Sequence, residues 1–566
     1  MNPVIGIDFG TSHASVALAL GPDAQIVIHG GGDGVGAVSI PSVVAFPPAA
    51  AGGGAPLVGV EALALAARNP ERTITDVKRL LGRKWDTPEV RHHKQEVPYE
   101  VVAARNGDVR LRVGRRHHAP QDIAGYIFGA LRTAAERVAG GPVTETILTV
   151  PSAFNDLQRQ AIRDAARIAG LDVKGVLTEP AAAALGAGVF PLHRDADPRE
   201  RKIVVYDLGG GSFNVAALLI SDDGIEVAAS GGDAFLGGGD FDQRIVAQVR
   251  EEAVRAGGGD PVRDRALMAR LRRVAERVKC ELSAVAEVQI SPAELAPRSQ
   301  VGLRLDRERL ERLTQDLIDR TVWPCEAVLR EANWSSSDVD AVLLVGAQTR
   351  MPRVRAQIAD LFGKEPVAVD AADAVVALGA ARHGAALGTR RSRGRVFVPV
   401  LETTGVSLGV ESAGGVLARL IPKGTRVPAA RTQVFTTSAD RQTQIVVHLL
   451  QGEREMAADN QSIARIQVGP LPPRPRGAAQ IELQIVADGG GLPIVSARDV
   501  TSGEVKQAKM RPSGGLTDAE IMVLAGIHAG APVPATAADE LVDDALGPES
   551  SVDGVRSEAD PPGVGG

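Results

Sequence analysis

The stretch VVYDLGGGSFNVAALL, Val204 to Leu219, places a carboxylate and three glycines between two apolar runs. The apolar run before Asp207 predicts a buried strand, and the run after Ser212 predicts a second strand that returns beside it. The same pattern occurs 199 residues earlier in IDFGTSHASVALAL, Ile7 to Leu20, where Asp8 aligns with Asp207 without a gap. A unit that recurs at this distance predicts two similar halves that face each other rather than a solenoid.

Each copy of the pattern predicts a hairpin turn that can hold an anionic oxygen. Glycines let backbone N–H groups approach such an oxygen closely, and the hydroxyls of Thr11, Ser12 and Ser212 add further donors. Asp8 and Asp207 would repel each other if they converged, and a Mg²⁺ ion bound to phosphates would remove that repulsion. An ordinary glycine-rich turn is the alternative for one copy, but two copies in register favour a phosphate site. The glycine spacing matches neither a Walker A loop nor a dinucleotide-binding fingerprint.

The composition is that of a globular protein with several domains. The 566 residues are enough for about three or four domains of about 150 residues each. The net charge of −6 argues against a nucleic-acid-binding surface. Cys280 and Cys325 are far apart and lack metal-ligand spacing, so we expect neither a disulfide framework nor a zinc site. The start MNPVIGIDFG has no signal-peptide pattern and no long apolar segment follows, so we expect a cytoplasmic protein that does not enter a membrane.

Periodicity and composition predict four regions along the chain. Residues 1–389 alternate strand patterns such as KIVVYDL with helical patterns such as DLQRQAIRDAARIAG, which is typical of α/β architecture. A basic stretch opens residues 390–402, which we interpret as an interdomain linker. Residues 403–514 carry short alternating strands with turn signals and predict a small β-sandwich. Residues 515–566 predict one helix, TDAEIMVLAGIHAG, and then a mostly disordered acidic tail.

A set of motifs in a fixed order resembles a known family. The motifs are GIDFGTS, DVKRLLGR, TVPSAFNDLQRQAIRDAARIAGL, EPAAAAL, YDLGGGSF, LGGGDFD, ERVKCELS, LLVGAQTRMP and LQGERE. Through them, the chain from residue 4 to about residue 515 resembles the DnaK-type heat-shock chaperones of the actin-like ATPase superfamily. The resemblance implies an α/β ATPase domain with two duplicated lobes, followed by a small all-β sandwich that binds peptides.

The resemblance implies that the two hairpins bind ATP with Mg²⁺. Its phosphate loops fall on Asp8, Gly10, Thr11, Ser12, Gly209, Gly210, Gly211 and Ser212. Lys78 falls on the lysine that orients the attacking water and stabilises charge on the γ-phosphate, and Glu179 falls on the glutamate near that water. The implied catalytic set is Asp8, Lys78, Glu179, Asp207 and Ser212, and the implied metal shell is Asp8, Glu179 and Asp207. Taken alone, Lys78 would be interpreted as a solvated surface lysine and Glu179 as a helix-start carboxylate.

The resemblance also implies a nucleoside pocket. Its remaining contacts fall on Gly238, Glu276, Lys279, Ser283, Gly346, Arg350 and Asp373. Glu276, Lys279 and Ser283 are spaced three and four residues apart, so they share one face of a helix. An ion pair between Glu276 and Lys279 on a solvated helix is the alternative interpretation.

Further residues fall on the relay between domains and on a groove for extended polypeptide. The implied relay residues are Pro151, Arg159 and Glu402. The implied peptide contacts are Leu408, Val410, Ala413, Phe435, Ser438, Ile445 and Val447. Alternation along strands puts such side chains on one face, where an extended peptide gains affinity from main-chain hydrogen bonds. Plain core positions are the alternative, above all for Leu408 and Val447.

Several positions depart from the family pattern near the nucleotide and the co-chaperone surface. Asn214 stands where the family has an aspartate that helps to hold a monovalent cation, so we expect a weakened K⁺ site. Gly175, Thr178 and Ala181 alter the surface on which J-domain co-chaperones dock. We therefore expect any partnership with a J-domain co-chaperone or a nucleotide-exchange factor to depart from the family pattern.

The linker and the sandwich depart from the pattern as well. Pro399 removes a backbone donor from the linker, which predicts altered docking of that segment. Ala413 and Ser438 predict a smaller and less hydrophobic arch over the bound peptide. The stretch after Gly514 is shorter than the helical lid of the family, which predicts faster peptide exchange.

These features predict an ATP-dependent chaperone that binds extended hydrophobic segments of unfolded proteins and couples ATP hydrolysis to its grip. An ATP-binding regulatory or scaffold protein with little turnover is the alternative, and Asn214, the expected lack of a full lid and the altered co-chaperone surface motivate it. A small-molecule kinase of the same superfamily is disfavoured, because a β-sandwich follows the linker and no sugar pocket is recognisable.

Overall fold

A computed structural model gives the architecture of the chain. It describes residues 3–21, 23–29, 37–48, 54–66, 68–188, 200–221, 224–255, 264–295, 302–369, 371–388, 399–412, 414–506 and 508–530. Ala413, residues 390–398 of the predicted linker and the predicted acidic tail after residue 530 lie outside the described residues. No helix in these ranges is long and apolar enough to cross a lipid bilayer.

The first lobe is built on a sheet that starts with a hairpin at the first copy of the repeat. Its strands β1 to β12 are Val4–Phe9, His13–Leu20, Asp23–Ile26, Ile40–Pro41, Val44–Ala45, Leu57–Val58, Thr73–Ile74, Glu100–Ala103, Val109–Val113, Arg116–His118, Glu145–Val150 and Asp172–Thr178. Its helices α1 to α5 are Val60–Leu65, Pro88–Glu96, Pro120–Ala139, Asp156–Ile168 and Glu179–Gly186. The main sheet has the order β12-β11-β1-β2-β3, with β11 parallel to β1 and β2 antiparallel to it. Ile5, Ile7 and Phe9 alternate along β1 and join the core that includes Phe128 of α3 and Ile162 of α4.

The second lobe repeats this arrangement. Strands β13 to β20 are Arg201–Leu208, Phe213–Ser221, Gly224–Asp233, Glu287–Ile290, Leu303–Asp306, Ala341–Val345, Val367–Ala368 and Val400–Leu401. Helices α6 to α12 are Gly238–Arg255, Arg265–Ala284, Pro292–Leu295, Arg307–Asp319, Val322–Glu331, Pro352–Phe362 and Val375–Gly388. The sheet order is β19-β18-β13-β14-β15-β20, again with an antiparallel hairpin, β13 and β14, whose first strand pairs in parallel with its other neighbour, β18. The predicted duplication is confirmed, because each copy of the repeat begins the equivalent hairpin.

Helices α5 and α12 bring the two lobes together. Both helices contribute to one core cluster with strands of both sheets, including Val4 of β1 and Val205 of β13. Gly186 and Gly379 lie where α5 and α12 touch, and a Cβ atom at either position would overlap the backbone of the other helix. These glycines are needed for close helix contact beneath the two hairpins.

A β-sandwich and one further helix follow. Strands β21 to β29 are Leu408–Ser412, Val416–Ile421, Ala429–Thr436, Ile445–Gln451, Gln461–Val468, Gln480–Ala487, Ile494–Asp499, Val505–Lys506 and Ala508–Pro512, and helix α13 is Asp518–His528. The two sheets have the orders β22-β21-β24-β25-β29 and β23-β26-β27-β28. Thr517 and Glu520 form a capping box that starts α13, as the sequence TDAE predicts. The α/β lobes and the all-β sandwich confirm the predicted fold class.

The described part of the linker adds a strand to the second lobe. Val400 and Leu401 pair in parallel with Ile225 and Glu226 of β15. Pro399 takes part through its carbonyl oxygen, which accepts a hydrogen bond of 3.0 Å from the Ile225 N–H. The linker therefore docks without the backbone N–H that a proline lacks. The sequence alone predicted altered docking, because it could not show that Pro399 takes part through its carbonyl oxygen.

The sandwich also packs directly against α4 of the first lobe. Leu157 of α4 belongs to the sandwich core, where it joins Leu408 and Ile485. The Asn155 amide donates to Gln461 at 2.6 Å, and the Asp156 N–H donates to the Gln451 side chain at 3.1 Å. Helix α4 therefore lies between the first lobe and the sandwich.

Candidate functional site

The two hairpin turns meet where the repeat places its small and hydroxylated residues. A Cβ atom on Gly211 would lie 2.5 Å from the Thr11 Cγ2, and one on Gly210 would overlap the Ser12 hydroxyl. Only glycine fits at these two positions, so the backbone of the second turn can lie directly on the first. The residues of both turns line one shared space, and closely packed glycine turns of this kind can present backbone N–H groups to a phosphate.

This space is a cavity of about 330 Å³ between the lobes. The predicted residues that line it are Asp8, Gly10, Thr11, Ser12, Lys78, Glu179, Asp207, Gly209, Gly210, Gly211, Ser212, Gly238, Glu276, Lys279, Gly346, Arg350 and Asp373. Ser283 is not among the lining residues, and its hydroxyl donates to the Lys279 carbonyl of its own helix at 3.3 Å. A single cavity thus collects residues spread over more than three hundred positions of the chain.

The base of the cavity holds a buried lysine and glutamate in direct contact. The Lys78 Nζ lies 2.5 Å from the Glu179 Oε1, and each side chain is 5% exposed. The Asn214 amide donates to the other Glu179 oxygen at 3.0 Å. Glu179 is the first residue of α5, and Lys78 lies in a short helical turn at residues 77–80. Both oxygens of the glutamate are therefore engaged and its carboxylate plane is fixed.

Two aspartates complete a cluster of three carboxylates with one ammonium group, in which Glu179 and Asp207 are buried and Asp8 is half-buried. Burial, followed by the charge of Glu179, raises the pKa of Asp8 to about 7, although Lys78 and a hydrogen bond from Thr149 lower it. Burial, Glu179 and Asp8 likewise raise the pKa of Asp207 well above its usual range, against Lys78 and Asn214. The cluster has more negative than positive groups, so a cation would relieve it.

The donor set fits a magnesium ion that is held mainly through phosphates and water. Carboxylate oxygens are the ligands that Mg²⁺ prefers, and it usually retains several waters. Among the described ranges, no three His, Cys, Asp or Glu side chains are arranged to hold a metal ion by themselves. Asp8, Glu179 and Asp207 therefore suit an ion that arrives with a nucleotide.

The side of the cavity lined by Glu276 and Lys279 contains an acidic residue, Asp242, to which the sequence analysis assigned no role. The Lys279 Nζ donates to the Gly238 carbonyl at 2.8 Å and pairs with Asp242 at 2.9 Å. Arg350 pairs with Asp373 at 2.8 Å on the opposite wall. Asp242 lies in the same LGGGDFD segment as Gly238, so the signal was present in that motif. The sequence analysis took only Gly238 from that segment as a candidate contact.

The relay residues connect this cavity to the linker and the sandwich. The Glu402 carboxylate accepts from the Thr178 N–H at 2.7 Å and from the Thr178 hydroxyl at 2.9 Å, and Thr178 immediately precedes Glu179. Arg159 donates to the Phe154 carbonyl at 3.1 Å and to the Gly489 carbonyl of the sandwich at 2.7 Å. Pro151 is buried at the end of β11. The Val427 N–H, next to the first residues of the sandwich strand Ala429–Thr436, donates to the Glu402 carbonyl at 2.9 Å, so Glu402 links the sandwich to Thr178 beside the glutamate of the cavity.

The predicted peptide contacts are largely inside the sandwich. Leu408, Val410, Ile445 and Val447 are between 1% and 5% exposed and belong to its core. Phe435 is half-buried against that core, and Ser438 is exposed and bonded to Gln442. Strand alternation predicted the shared face correctly, but it could not distinguish the core from the wall of a groove.

Comparison with known proteins gives the family. The Hsp70 protein family model matches residues 4–540 of this chain. The heat shock 70 kDa protein, mitochondrial, of Pisum sativum is 40% identical over 525 residues, which are 92% of this chain and 75% of that protein. Proteins of the family bind ATP with Mg²⁺, unfolded polypeptides and co-chaperones. This chain belongs to the Hsp70 family and is an ATP-dependent molecular chaperone, an ATPase that acts in protein folding.

Proposed function

We propose that Lys78, Glu179 and Asp207 carry out ATP hydrolysis in the cavity between the two hairpins. The contact between Lys78 and Glu179 at the base of that cavity supports this assignment most directly. In hydrolysis, a water oxygen forms a bond to the γ-phosphorus of ATP. The bond between the γ-phosphorus and the bridging oxygen breaks, and that oxygen leaves with ADP. Lys78 stabilises the charge that develops on the transferred phosphoryl group, and Glu179 orients the water.

The remaining cavity residues bind and orient the nucleotide. Backbone N–H groups of both turns and the hydroxyls of Thr11, Ser12 and Ser212 bind phosphate oxygens. Asp8, Glu179 and Asp207 are the residues that would hold Mg²⁺, and a bound Mg²⁺ would supply positive charge against the phosphates. Gly238, Glu276, Lys279, Gly346, Arg350 and Asp373 form the nucleoside pocket. Ser283, one turn beyond Lys279 on the same helix, remains a proposed contact of the nucleoside, although its hydroxyl also donates to the Lys279 carbonyl.

The sandwich binds extended hydrophobic segments and communicates with the ATPase lobes through Glu402, Thr178 and Arg159. Nucleotide and peptide must then change each other's affinity reciprocally. Leu408, Val410, Phe435, Ile445 and Val447 become accessible to a peptide only if strands of the sandwich separate, because four of them are core residues here. The exposed Ser438 is consistent with a small arch over the peptide.

Three finer assignments follow from departures from the family pattern. The Asn214 amide faces Glu179, so K⁺ is a weak or dispensable cofactor. The co-chaperone surface is altered at Gly175, Thr178 and Ala181, so J-domain proteins and nucleotide-exchange factors interact differently from the family pattern.

We place the protein in the cytoplasm, although the name of the pea relative contains "mitochondrial". Fractionation of cells that express the chain tests that location.

A regulatory or scaffold protein with little turnover is the second candidate. Its support is the closed contact around Glu179, where Lys78 and Asn214 already occupy both carboxylate oxygens. Tight ATP binding without measurable hydrolysis would establish it.

Single-turnover hydrolysis of ATP distinguishes the two candidates. We expect slow hydrolysis that an apolar heptapeptide accelerates and that Lys78→Ala slows by about a hundredfold or more. Lys174→Ala is the matched control, because Lys174 is exposed on β12 and pairs only with surface carboxylates. Hydrolysis that is negligible and insensitive to peptide would overturn the assignment of the catalytic residues.

A further inference from the structure

A second and larger cavity lies beside the nucleotide cavity, between helix α2 of the first lobe and helix α7 of the second. Its volume is about 550 Å³, within the range of small-molecule sites. One face of α7 lines it, with residues spaced three and four positions apart: Ala269, Arg272, Arg273, Glu276, Arg277 and Cys280. Lys78, Glu179 and Asp207 do not line it. This α2–α7 cavity is therefore a separate space that shares a wall with the nucleotide site.

His93 of α2 brings an unused hydrogen-bond acceptor to the α2–α7 cavity. Its side chain is 2% exposed, and burial lowers its pKa to about 4, so the imidazole is neutral. The Tyr99 hydroxyl donates to the Thr75 carbonyl at 2.6 Å, so it accepts from the His93 Nε2 at 3.0 Å. The ring proton is thus on Nε2, and Nδ1 is a buried acceptor without a hydrogen-bond partner among the described residues. A ligand with a donor group would satisfy it.

Two opposite charges beside this imidazole are unpaired. After burial, the largest influences on the pKa of His93 are Asp76, which raises it, and then Arg79 and Arg272, which lower it. All three charges therefore lie near the ring. Arg79 pairs with Asp240 at 3.2 Å, whereas Asp76 and Arg272 form no ion pair with any residue that the structure describes. One carboxylate of the first lobe and one guanidinium of the second are thus left at the same corner of the cavity.

A zwitterion matches these three groups. An ammonium group supplies donors for the His93 Nδ1 and a positive charge for Asp76, and the neighbouring carboxylate supplies a negative charge for Arg272. A simple anion would leave Asp76 unpaired, and a simple amine would leave Arg272 unpaired. The first lobe adds an apolar wall, formed by Val43, Leu63, Val97 and Pro98. This wall suits a large apolar side chain on the same ligand.

We propose that the α2–α7 cavity binds a free α-amino acid with a large apolar side chain, whose ammonium group contacts Asp76 and His93 and whose carboxylate contacts Arg272. The site does not depend on the catalytic roles proposed above. Because Asp76 and Arg272 belong to different lobes, the bound amino acid bridges the lobes beside the hydrogen bond that Gln243 donates to Glu96 at 2.6 Å. It thereby holds the cleft closed and slows release of nucleotide from the neighbouring cavity. Nucleotide must in return tighten the binding of the amino acid.

Saturation-transfer NMR on the full chain tests the site, with L-phenylalanine as the probe and L-leucine and L-tryptophan as further probes. We expect a dissociation constant of about 1 mM or lower. L-phenylalaninamide lacks the carboxylate and N-acetyl-L-phenylalanine lacks the ammonium group, so each should bind about tenfold more weakly or worse.

Two variants remove the same charges from the protein. Arg272→Gln and Asp76→Asn should each weaken binding of L-phenylalanine by about tenfold or more. Asparagine tolerates the left-handed backbone at residue 76, where φ is 55°. Arg312→Gln is the matched control, because Arg312 is exposed on α9 and does not line the cavity. Near-ultraviolet circular dichroism checks that each variant is folded, and Arg272→Met replaces Arg272→Gln if that variant is not.

Release of a fluorescent ADP analogue measures the bridging of the lobes. Saturating L-phenylalanine should slow release by about fivefold or more in the wild type and leave it unchanged in Arg272→Gln. Binding of the amino acid without any effect on release would contradict the bridging.

Three results would overturn the binding site itself. The first is that none of the three amino acids binds. The second is that folded Arg272 and Asp76 variants bind L-phenylalanine as the wild type does. The third is displacement by an apolar heptapeptide or by ATP, which would place the amino acid in the sandwich or in the nucleotide cavity.

Discussion

The His528 Nε2 lies 2.7 Å from the Asp122 Oδ1, so the last residue of helix α13 is bonded to helix α3 of the first lobe. The other Asp122 oxygen accepts from the His118 Nδ1, also at 2.7 Å. The His528 ring stacks on Tyr126 with a centroid distance of 3.8 Å. One buried carboxylate thus serves two histidines and fixes the end of α13 to the ATPase region.

Replacement of His528 by alanine should release α13 from the first lobe. A hydrogen bond to a charged group contributes about 1.5–3 kcal/mol, and its loss leaves Asp122 with one donor fewer. Amide hydrogen exchange in α13 should therefore accelerate by about tenfold to a hundredfold, while exchange in β1 remains unchanged. His92→Ala is the control, because His92 is exposed on α2. Unchanged exchange in α13 would show that the apolar contacts of Ile521 and Leu524 with Ile168 are sufficient.

The hydrogen bond between His528 and Asp122 should persist in mildly acidic solution. Burial opposes ionisation of Asp122, but hydrogen bonds from His118 and His528 outweigh it and hold the Asp122 pKa well below its usual range. A depressed carboxylate pKa contributes stability that is present above the unfolded value and is lost only as pH falls through the folded value. We expect the protection of α13 not to fall between pH 7 and pH 5 in the wild type, because Asp122 stays ionised over this range. Asp122→Asn should weaken that protection across the whole range, and a loss confined to acid would contradict the assignment.

Gly211 should be indispensable for nucleotide binding. A methyl group at this position would lie 2.5 Å from the Thr11 Cγ2, so the two turns would have to separate. We expect Gly211→Ala to weaken ATP binding by about tenfold or more, measured by calorimetry. Gly129→Ala is the matched control, because a Cβ atom there meets nothing within 4 Å and α3 gains helix propensity. Equal ATP affinity in the two variants would show that the turns do not need their close contact.

The sequence predicted the architecture and most of the cavity for a physical reason. The repeat around Asp8 and Asp207 combines short-range patterns, namely apolar alternation and glycine turns, and these patterns determine hairpins locally. Two equivalent hairpins are expected to have equivalent neighbouring strands in their sheets. The matching strand orders of the two sheets confirm this expectation.

Other contacts had no local signal. His528 and Asp122 are 406 positions apart, and neither lies in a recognisable motif. The sequence indicated only that Asn214 replaces a charged residue of the family pattern. It could not indicate the partner of the Asn214 amide, because β14 and α5 come together only in the folded chain. Ser283 has the correct helical spacing, yet spacing cannot show that the hydroxyl bonds to its own helix. Alternation in β21 and β24 indicates a common face, but core and groove walls share that pattern.

Docking of the sandwich on α4 should weaken as pH rises from acid to neutral. Burial raises the pKa of Asp156 to about 6, although Arg159 and Gln451 lower it. An undocked aspartate titrates near about 3.9, so ionisation between about pH 4 and pH 6 opposes docking. Asp156→Asn should strengthen docking at pH 7 by about tenfold and remove its pH dependence. Fluorescence energy transfer between labels at the exposed residues 138 and 505 measures docking, and Asp172→Asn is the surface control.

Glu402 should be required for communication between peptide and nucleotide. Its carboxylate binds both the N–H and the hydroxyl of Thr178, and the next residue is Glu179 of the cavity. Glu402→Ala removes the single oxygen, Oε1, that accepts both hydrogen bonds, so movement of the linker can no longer be transmitted to the start of α5. We expect peptide to stimulate single-turnover hydrolysis less than twofold in this variant, and Glu402→Gln to retain part of the stimulation through its remaining oxygen. Glu308→Ala, an exposed substitution on α9, should behave as the wild type. Full stimulation in a folded Glu402→Ala protein would mean that the signal passes through Arg159 and the face of α4 instead.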